Sequence, residues 1–388
     1  MTIPPLVAPG PALTATQVSR YSRHLLMPTI GEGGQRRLLA ARVAVVGAGG
    51  LGSPALLYLA AAGVGRITVI DDDVVDETNL QRQVLHATAD VGRAKTASAV
   101  ERVRALNPDV AITPVDRRLD PDNAVELLAD HDLVLDGSDS FDTRYAVADA
   151  CEVLGLPLVW AAVFRTEAHV TVFWTAAPEG LPAPGLRDLF PTPPAAGTVP
   201  ACGDAGVLGP LVGQVGSMMA SEAIKLITGV GAPLLGRVLF VDALGSTQRE
   251  IPLLPRAERA SHARPTPRPR HVDEAPEPST PVISPAELAA RLGWPDAPFV
   301  VDVRDEHELA TGTVPDAVHI PLPRLLADPT GDARVPTDRE VVLVCRAGPR
   351  ARLAAAALRA QGHERLLVLD GGMLAWPTPT TVPEETRR

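Results

Sequence analysis

Apolar residues in the first part of the chain follow two alternating rhythms. Short runs in which nearly every position is apolar, "RVAVVGAGG", "RITVIDDD", "DVAITPV", "DLVLDGS" and "LPLVWA", are separated by stretches of helical period. The short runs are expected as strands covered on both faces, which have no solvent side to alternate with, and the longer stretches as amphipathic helices. Their alternation from Arg42 to about Trp160 predicts an α/β fold, a Rossmann-like, mostly parallel sheet with crossover helices. Two later runs, "VFRTEAHVTVFW" and "GRVLFVDAL", alternate better and are expected as antiparallel strands that extend the same sheet. Towards the C-terminus "APFVVDVRDEHELATG", "AVHIPL", "VVLVCRAGPR" and "RLLVLDGG" repeat the α/β pattern on a smaller scale, a unit of about 100 residues.

Proline marks the breaks in this pattern. Pro178 to Gly203 holds seven prolines and no periodicity, and a loop of that length inside a compact domain is usually functional. From Pro255 to Pro285 there are eight prolines among many charges, the composition of an extended, semi-rigid linker. The expected organisation is a domain over residues 1–254, a linker over 255–282 and a second domain over 283–388. No internal repeat interrupts it.

Composition narrows the function classes. The 388 residues are 46% apolar, ample for two cores, and the formal net charge of −10 argues against a nucleic-acid surface. A local basic run, "RAERASHARPTPRPRH", falls among the linker prolines and reads as solvated chain. Three cysteines give no disulfide framework and point to a reducing compartment. The N-terminus lacks a basic n-region and an unbroken apolar stretch, and no window of about 18 apolar residues appears. A soluble cytoplasmic protein, without a membrane or nucleic-acid partner, is expected.

Two loops carry chemistry. Gly47-x-Gly49-x-x-Gly52 directly follows one strand and opens a helix, and Asp71 ends the next strand. Glycines there let the backbone approach a phosphate at the helix N-terminus, while the acid accepts ribose hydroxyls. Any dinucleotide-dependent dehydrogenase would show as much. Downstream, however, stand Asn79, Arg82 and Lys95. Hydride transfer has no need of two fixed cations near the phosphates, whereas phosphoryl or nucleotidyl transfer uses them against the charge that builds on phosphorus oxygens. Asp139, just past the strand "LVLD", sits where an open α/β sheet binds ligands and could hold Mg²⁺ through oxygen.

The second loop is "VCRAGPRAR", a strand running into Cys345, a short turn and a helical run of Ala and Leu. The N–H groups and partial charge at a helix start stabilise an anion and favour a thiolate. Protein phosphatases hold phosphate with Arg six positions after Cys, but here that position is Ala351 and Arg350 is only five away. The cradle from Cys345 to Arg350 is one residue too small for phosphate and suits a single extra sulfur. Cys151, within "YAVADACEVLGL", reads as a small buried apolar residue.

These pieces carry two resemblances. "RYSRHLLMPTIGEGGQRRL", "GAGGLGSP", "DDDVVDETNLQRQ", "VGRAK", "DGSDSFDTR", "VPACGDAGVLGP" and "SEAIKLITG", over residues 20 to about 250, resemble the ubiquitin-activating-enzyme superfamily in its bacterial form. Those are the adenylyltransferases that activate molybdopterin-synthase and thiamine sulfur-carrier proteins. The resemblance implies that Gly50, Asp71, Asn79, Arg82, Lys95 and Asp139 surround ATP, with Thr78 and Ser140 counted among the nucleotide contacts. It also implies a homodimer in which Arg23 reaches the partner's triphosphate, and an acyl-accepting role for Cys202. Ser140 departs from the family's usual Asn. The family's two C-x-x-C zinc pairs would fall at "GLRD", residues 185–188, and near "LLPRAERA", and neither has a cysteine, so no zinc is expected. Nearly all of residues 283–380 resemble a rhodanese domain. This implies a persulfide on Cys345, its terminal sulfur hydrogen-bonded by loop N–H groups, in a loop that includes Gly348 and in which Arg346 and Arg350 add positive charge.

Joined, the halves suggest an enzyme that uses MgATP to adenylate the C-terminal glycine of a ubiquitin-like sulfur carrier ending in Gly-Gly. Sulfur from Cys345, supplied by thiosulfate or a cysteine-desulfurase persulfide, then gives the thiocarboxylate. Cys202 either releases the product by a disulfide with Cys345 or first holds the acyl group as a thioester. Two other classes stay open at this point: a non-catalytic scaffold with a silent Cys345, and a nicotinamide-dependent oxidoreductase fused to a sulfurtransferase.

Overall fold

The computed structural model describes residues 3–193, 206–255, 280–327 and 334–377. Two compact units result, Met1–Gly10 with Arg37–Asp273 and Pro11–Arg36 with Glu274–Arg388. The first is built on an eight-stranded sheet of order β3-β2-β1-β4-β5-β6-β7-β8. Its strands are β1 Arg42–Val46, β2 Arg66–Ile70, β3 Ala111–Val115, β4 Leu133–Asp136, β5 Leu158–Phe164, β6 Glu167–Phe173, β7 Arg237–Asp242 and β8 Thr247–Pro252. The pairs from β3 to β5 are parallel and those from β5 to β8 antiparallel, so the expected antiparallel extension by "EAHVTVF" and "RVLFVD" is found.

The apolar runs of β1, β2, β4 and β5 are explained by cover on both faces, whereas β3, at the sheet edge, is mostly exposed. Val43 and Val45 of β1 join a core with Leu56, Leu59 and Met219, while Ala44 and Val46 join another with Val134, Tyr145 and Trp160. On the first face the helix Gly209–Thr228 packs across the helix Gly52–Ala62 and onto β5 and β6. Each fully buried Leu or Val contributes about 1.5–3 kcal/mol, so this double burial is the main stabilising term of the unit. Strand β8 escaped the pattern because all six of its residues, "TQREIP", are exposed on the sheet edge. Charged residues and a terminal proline suit that position.

In the second unit five short strands form a parallel sheet of order β11-β10-β12-β13-β9. They are β9 Val282–Ile283, β10 Phe299–Asp302, β11 Val318–His319, β12 Val341–Val344 and β13 Leu366–Leu369. Within this unit the N-terminal helix Ala15–Arg20, started by a Thr14–Gln17 capping box, packs on the helices Leu322–Ala327 and Pro349–Ala360. Asp302 and Arg304, each 1% exposed, form a buried ion pair at 2.7 Å. Arg304 also donates to the carbonyl oxygens of Glu308 (3.1 Å) and Gly312 (2.8 Å), fixing the 3-10 turn Glu306–Thr311 that follows β10. Among the described residues no helix is long and apolar enough to cross a membrane.

Removing one partner of such a pair leaves an uncompensated buried charge. Arg304→Met is therefore expected to destabilise the second unit by about 3–5 kcal/mol, and the double change Asp302→Leu/Arg304→Met to recover part of that loss. Urea unfolding of the full chain followed by Trp fluorescence checks this; identical midpoints for the wild type and the single variant contradict it.

Candidate functional site

The first site forms where β1, β2 and β4 end. A β-carbon on Gly52 would lie 1.8 Å from the carbonyl oxygen of Gly47, so only glycine allows the strand to turn back onto the start of the helix Gly52–Ala62. Between them the backbone of Ala48 is held at both of its polar groups. Its N–H donates to Asp71 Oδ2 at 2.7 Å, and its oxygen accepts from His86 Nε2 at 3.0 Å and from Ser53 Oγ at 3.3 Å. A carbonyl oxygen can only accept, which puts the His86 proton on Nε2 and leaves Nδ1 to accept from Ser98 Oγ at 3.0 Å. Burial holds the His86 pKa below its usual value and favours this neutral form. Burial also raises the pKa of Asp71, against the opposing pull of Lys95 and of the Asp73 and Ala48 N–H groups.

A cavity of about 240 Å³ opens over this cradle. It brings together Gly47, Gly49, Gly50, Asp71, Arg82, Lys95, Asp139 and Ser140, all singled out in the sequence. Lys95, the first residue of the helix Lys95–Leu106, is 6% exposed and its Nζ lies 2.8 Å from Asp73 Oδ2. Arg82 is half-buried, its Nη1 donating to the Thr78 oxygen at 3.1 Å. Asp139 is exposed, and Ser140 caps the helix Phe141–Leu154 by accepting the Thr143 N–H at 3.2 Å. That capping explains how Ser fits where Asn is usual, since both cap well.

Other expected residues lie elsewhere. Gly52 sits behind the cradle against Gly47, and Thr78 and Asn79 are absent from the cavity wall. Their side chains are engaged with Asp76: Thr78 Oγ1 donates to its carboxylate, and Asn79 Oδ1 accepts its N–H at 3.2 Å. Arg23 is exposed on the short helix Ser22–Leu25 of the second unit, and Cys202 lies outside the described residues. Sequence reading passed over Arg117, Arg118, Gln83 and Arg144, which also line the cavity. Arg117 and Arg118 follow β3 one residue beyond its end, so their position past the carboxyl end of a parallel strand was the available signal. Arg144, between the rings of Phe141 and Trp160, donates to the Ser138 oxygen and shapes the loop before Asp139.

Where the family's first zinc pair would fall, the chain from Gly185 makes the helical turn Leu186–Leu189. Asp188 accepts the Gly185 N–H at 2.8 Å, Arg187 pairs with Asp149 at 2.6 Å, and Tyr145 Oη donates to the Phe190 oxygen at 2.8 Å. Those contacts hold the segment. Among the described residues only Asp71, Asp72 and Asp73 bring three carboxylates within reach of one ion.

The second site lies at the end of β12. Cys345 is 1% exposed, and its Sγ accepts the Gly348 N–H at 3.1 Å. The turn Gly371–Leu374 closes behind the loop, with the Met373 N–H on the Cys345 oxygen (2.8 Å) and the Leu374 N–H on the Arg346 oxygen (3.0 Å). Gly372, at φ +60, leaves no room for a β-carbon, which would fall 2.4 Å from the Cys345 oxygen. The helix begins at Pro349, a residue suited to a first helical position, so Arg350 belongs to the first turn and not to the loop. Arg346 is exposed beside the sulfur. Arg350, expected to add positive charge to the loop, is paired with acidic side chains. Both of its terminal nitrogens bind Glu308, at 2.6 and 2.7 Å, and Asp305 lies 3.6 Å away. Cys151 is buried in the helix Phe141–Leu154, where burial pushes its thiol pKa up, as a packing residue would show.

Comparison with known proteins agrees with both resemblances. Residues 21–262 match the model of the ThiF family, and residues 284–378 match that of the rhodanese-like domain. The chain is 45% identical to the probable adenylyltransferase/sulfurtransferase MoeZ of Mycobacterium tuberculosis, over 97% of this chain and 96% of that protein. It is 51% identical to the SAMP-activating enzyme E1 of Haloferax volcanii, over 62% of this chain and 87% of the relative. Over 95% of this chain and 87% of the relative, it is 36% identical to the adenylyltransferase and sulfurtransferase MOCS3 of Bos taurus. The crystal structure of E. coli MccB with ATP shares the fold, with a TM-score of 0.54 over 61% of this chain and 72% of that one at 20% identity. The nucleotide cradle, the cysteine loop and these matches lead to one conclusion: the chain belongs to the ThiF family, in the form that ends in a rhodanese-like domain, and is an adenylyltransferase and sulfurtransferase.

Proposed function

We propose that the enzyme converts the C-terminal glycine carboxylate of a small ubiquitin-like carrier into a thiocarboxylate. The observation that carries this reading is the cavity that gathers a glycine cradle, Asp71, Arg82, Lys95 and Asp139 at the strand ends, in a chain that also holds a cysteine under a helix start. The carrier carboxylate attacks the α-phosphorus of ATP, forming an acyl-adenylate and releasing pyrophosphate. Arg82 and Lys95 offset the charge that develops on the phosphate oxygens, and Asp71 takes the ribose hydroxyls. The exposed carboxylate of Asp139 and its oxygen donors fit Mg²⁺, which when bound would neutralise phosphate charge. The terminal sulfur of a Cys345 persulfide then attacks the acyl carbon and AMP leaves. A second thiol, for which Cys202 is the candidate, attacks the Cys345 sulfur, and the thiocarboxylate departs as a disulfide forms.

The two half-reactions separate by mutation. Cys345→Ala is expected to abolish thiocarboxylate formation while leaving carrier-dependent ATP–pyrophosphate exchange intact, and Lys95→Ala to slow that exchange by about 10²–10³-fold. Exchange assays combined with intact mass of the carrier check both; loss of exchange in Cys345→Ala contradicts the division.

The reading also includes a cytoplasmic homodimer, with Arg23 serving the partner's triphosphate, and no structural zinc. Sedimentation equilibrium giving only monomer at micromolar concentration would count against the dimer. Elemental analysis of the purified chain is expected to find no stoichiometric zinc, and one tightly held ion per chain refutes that part.

A further inference from the structure

Three cations stand on the segment that follows Cys345: Arg346, Arg350 and Arg352. Arg346 and Arg352 are exposed, and the Arg352 guanidinium lies beside Gly348, the residue whose N–H meets the sulfur. Arg350 is different. It sits one residue inside the helix that Gly348 caps, and its guanidinium makes two parallel bonds to Glu308, with side-chain exposures of 27% and 16%. Such a forked pair, partly withdrawn from water, neutralises the cation far better than an exposed pair does.

Glu308 is itself tightly placed. Its backbone oxygen accepts from Arg304, Oε2 accepts the Asp305 N–H at 3.0 Å, and its turn hangs from the buried Asp302–Arg304 pair. Hydrogen bonds from Arg350 keep its carboxyl ionised down to a pKa of about 2. Asp305, 3.6 Å from Arg350, adds a second negative charge.

We propose that Glu308 is a positioning residue that sets the charge offered to the incoming sulfur. By engaging Arg350 it withdraws one cation from the Cys345 loop and suits the site to a donor whose transferring group carries one negative charge, a persulfide, in preference to the thiosulfate dianion. This rests on the sulfurtransferase reading above and refines it by naming the donor class. The same clamp anchors the first turn of the helix, which keeps the Gly348 N–H on the sulfur.

The test uses the full-length chain and two readouts. Alkylation of Cys345 by anionic iodoacetate is compared with alkylation by neutral iodoacetamide, scored by peptide mass. The ratio of the two rates cancels changes in exposure or thiolate fraction, which move both reagents alike. Glu308→Gln is expected to raise the ratio, and to lower the KM for thiosulfate with cyanide as acceptor, each on the order of three- to tenfold. In an Arg350→Gln background the same change is expected to do nothing, because the cation is gone. An unchanged or lower ratio in Glu308→Gln overturns the proposal, as does an effect that persists without Arg350. Should Glu308→Gln not fold, Asp305→Asn is expected to shift the ratio the same way by a smaller factor, and no shift in it overturns the idea. If the ratio responds but neither wild type nor variant transfers sulfur to cyanide, the charge-setting role stands and the sulfurtransferase reading falls.

Discussion

The carbonyl oxygen of Gly47 occupies the space that a side chain on residue 52 would need, and the first unit's chemistry depends on that contact. Because the strand and the helix meet backbone to backbone, the glycines of the loop between them line the cavity without side chains to fill it. Asp71 and His86 then hold the intervening Ala48 backbone at its N–H and its carbonyl oxygen. The loop is thus fixed before any ligand arrives, so little ordering entropy is lost on binding.

The two units solve one problem at two sizes. Each ends a parallel strand at a turn and starts a helix, an arrangement whose free N–H groups suit an anion. In the first unit the turn is one residue longer than in the second, and Lys95 and Arg82 line the cavity above it. In the second the turn is short enough for the Gly348 N–H to reach the cysteine sulfur itself, and a carboxylate tempers the nearest helical arginine. Loop length and local charge, more than fold, separate nucleotide chemistry from sulfur chemistry here.

Much of this was legible in the sequence. Strands β1, β2, β4 and β5 were visible because both faces are covered, which leaves unbroken apolar runs, and β3, though largely exposed on the sheet edge, is still apolar enough to read as a strand. The glycine spacing, Asp71 and Cys345 were legible because each sits within a few residues of the strand end that gives it meaning. Strand β8 was not, since an edge strand with every residue exposed has no apolar period, and β9 has only two residues. Arg117 and Arg118 acquire a role only once β3 is known to end beside the cavity. Nor could the sequence show the pairing of Glu308 with Arg350, residues 42 positions apart that tertiary structure alone brings together.

The packing of Ala15–Arg20 against Leu322–Ala327 and Pro349–Ala360 joins the opening of the chain to its close. This segment is synthesised well before the surface it covers. The intervening eight-stranded sheet can form cotranslationally, while the helix Ala15–Arg20 has to wait for Leu322–Ala327 and Pro349–Ala360 before its apolar side is sheltered. That contact is a long-range closure, intrinsically slow compared with local pairings.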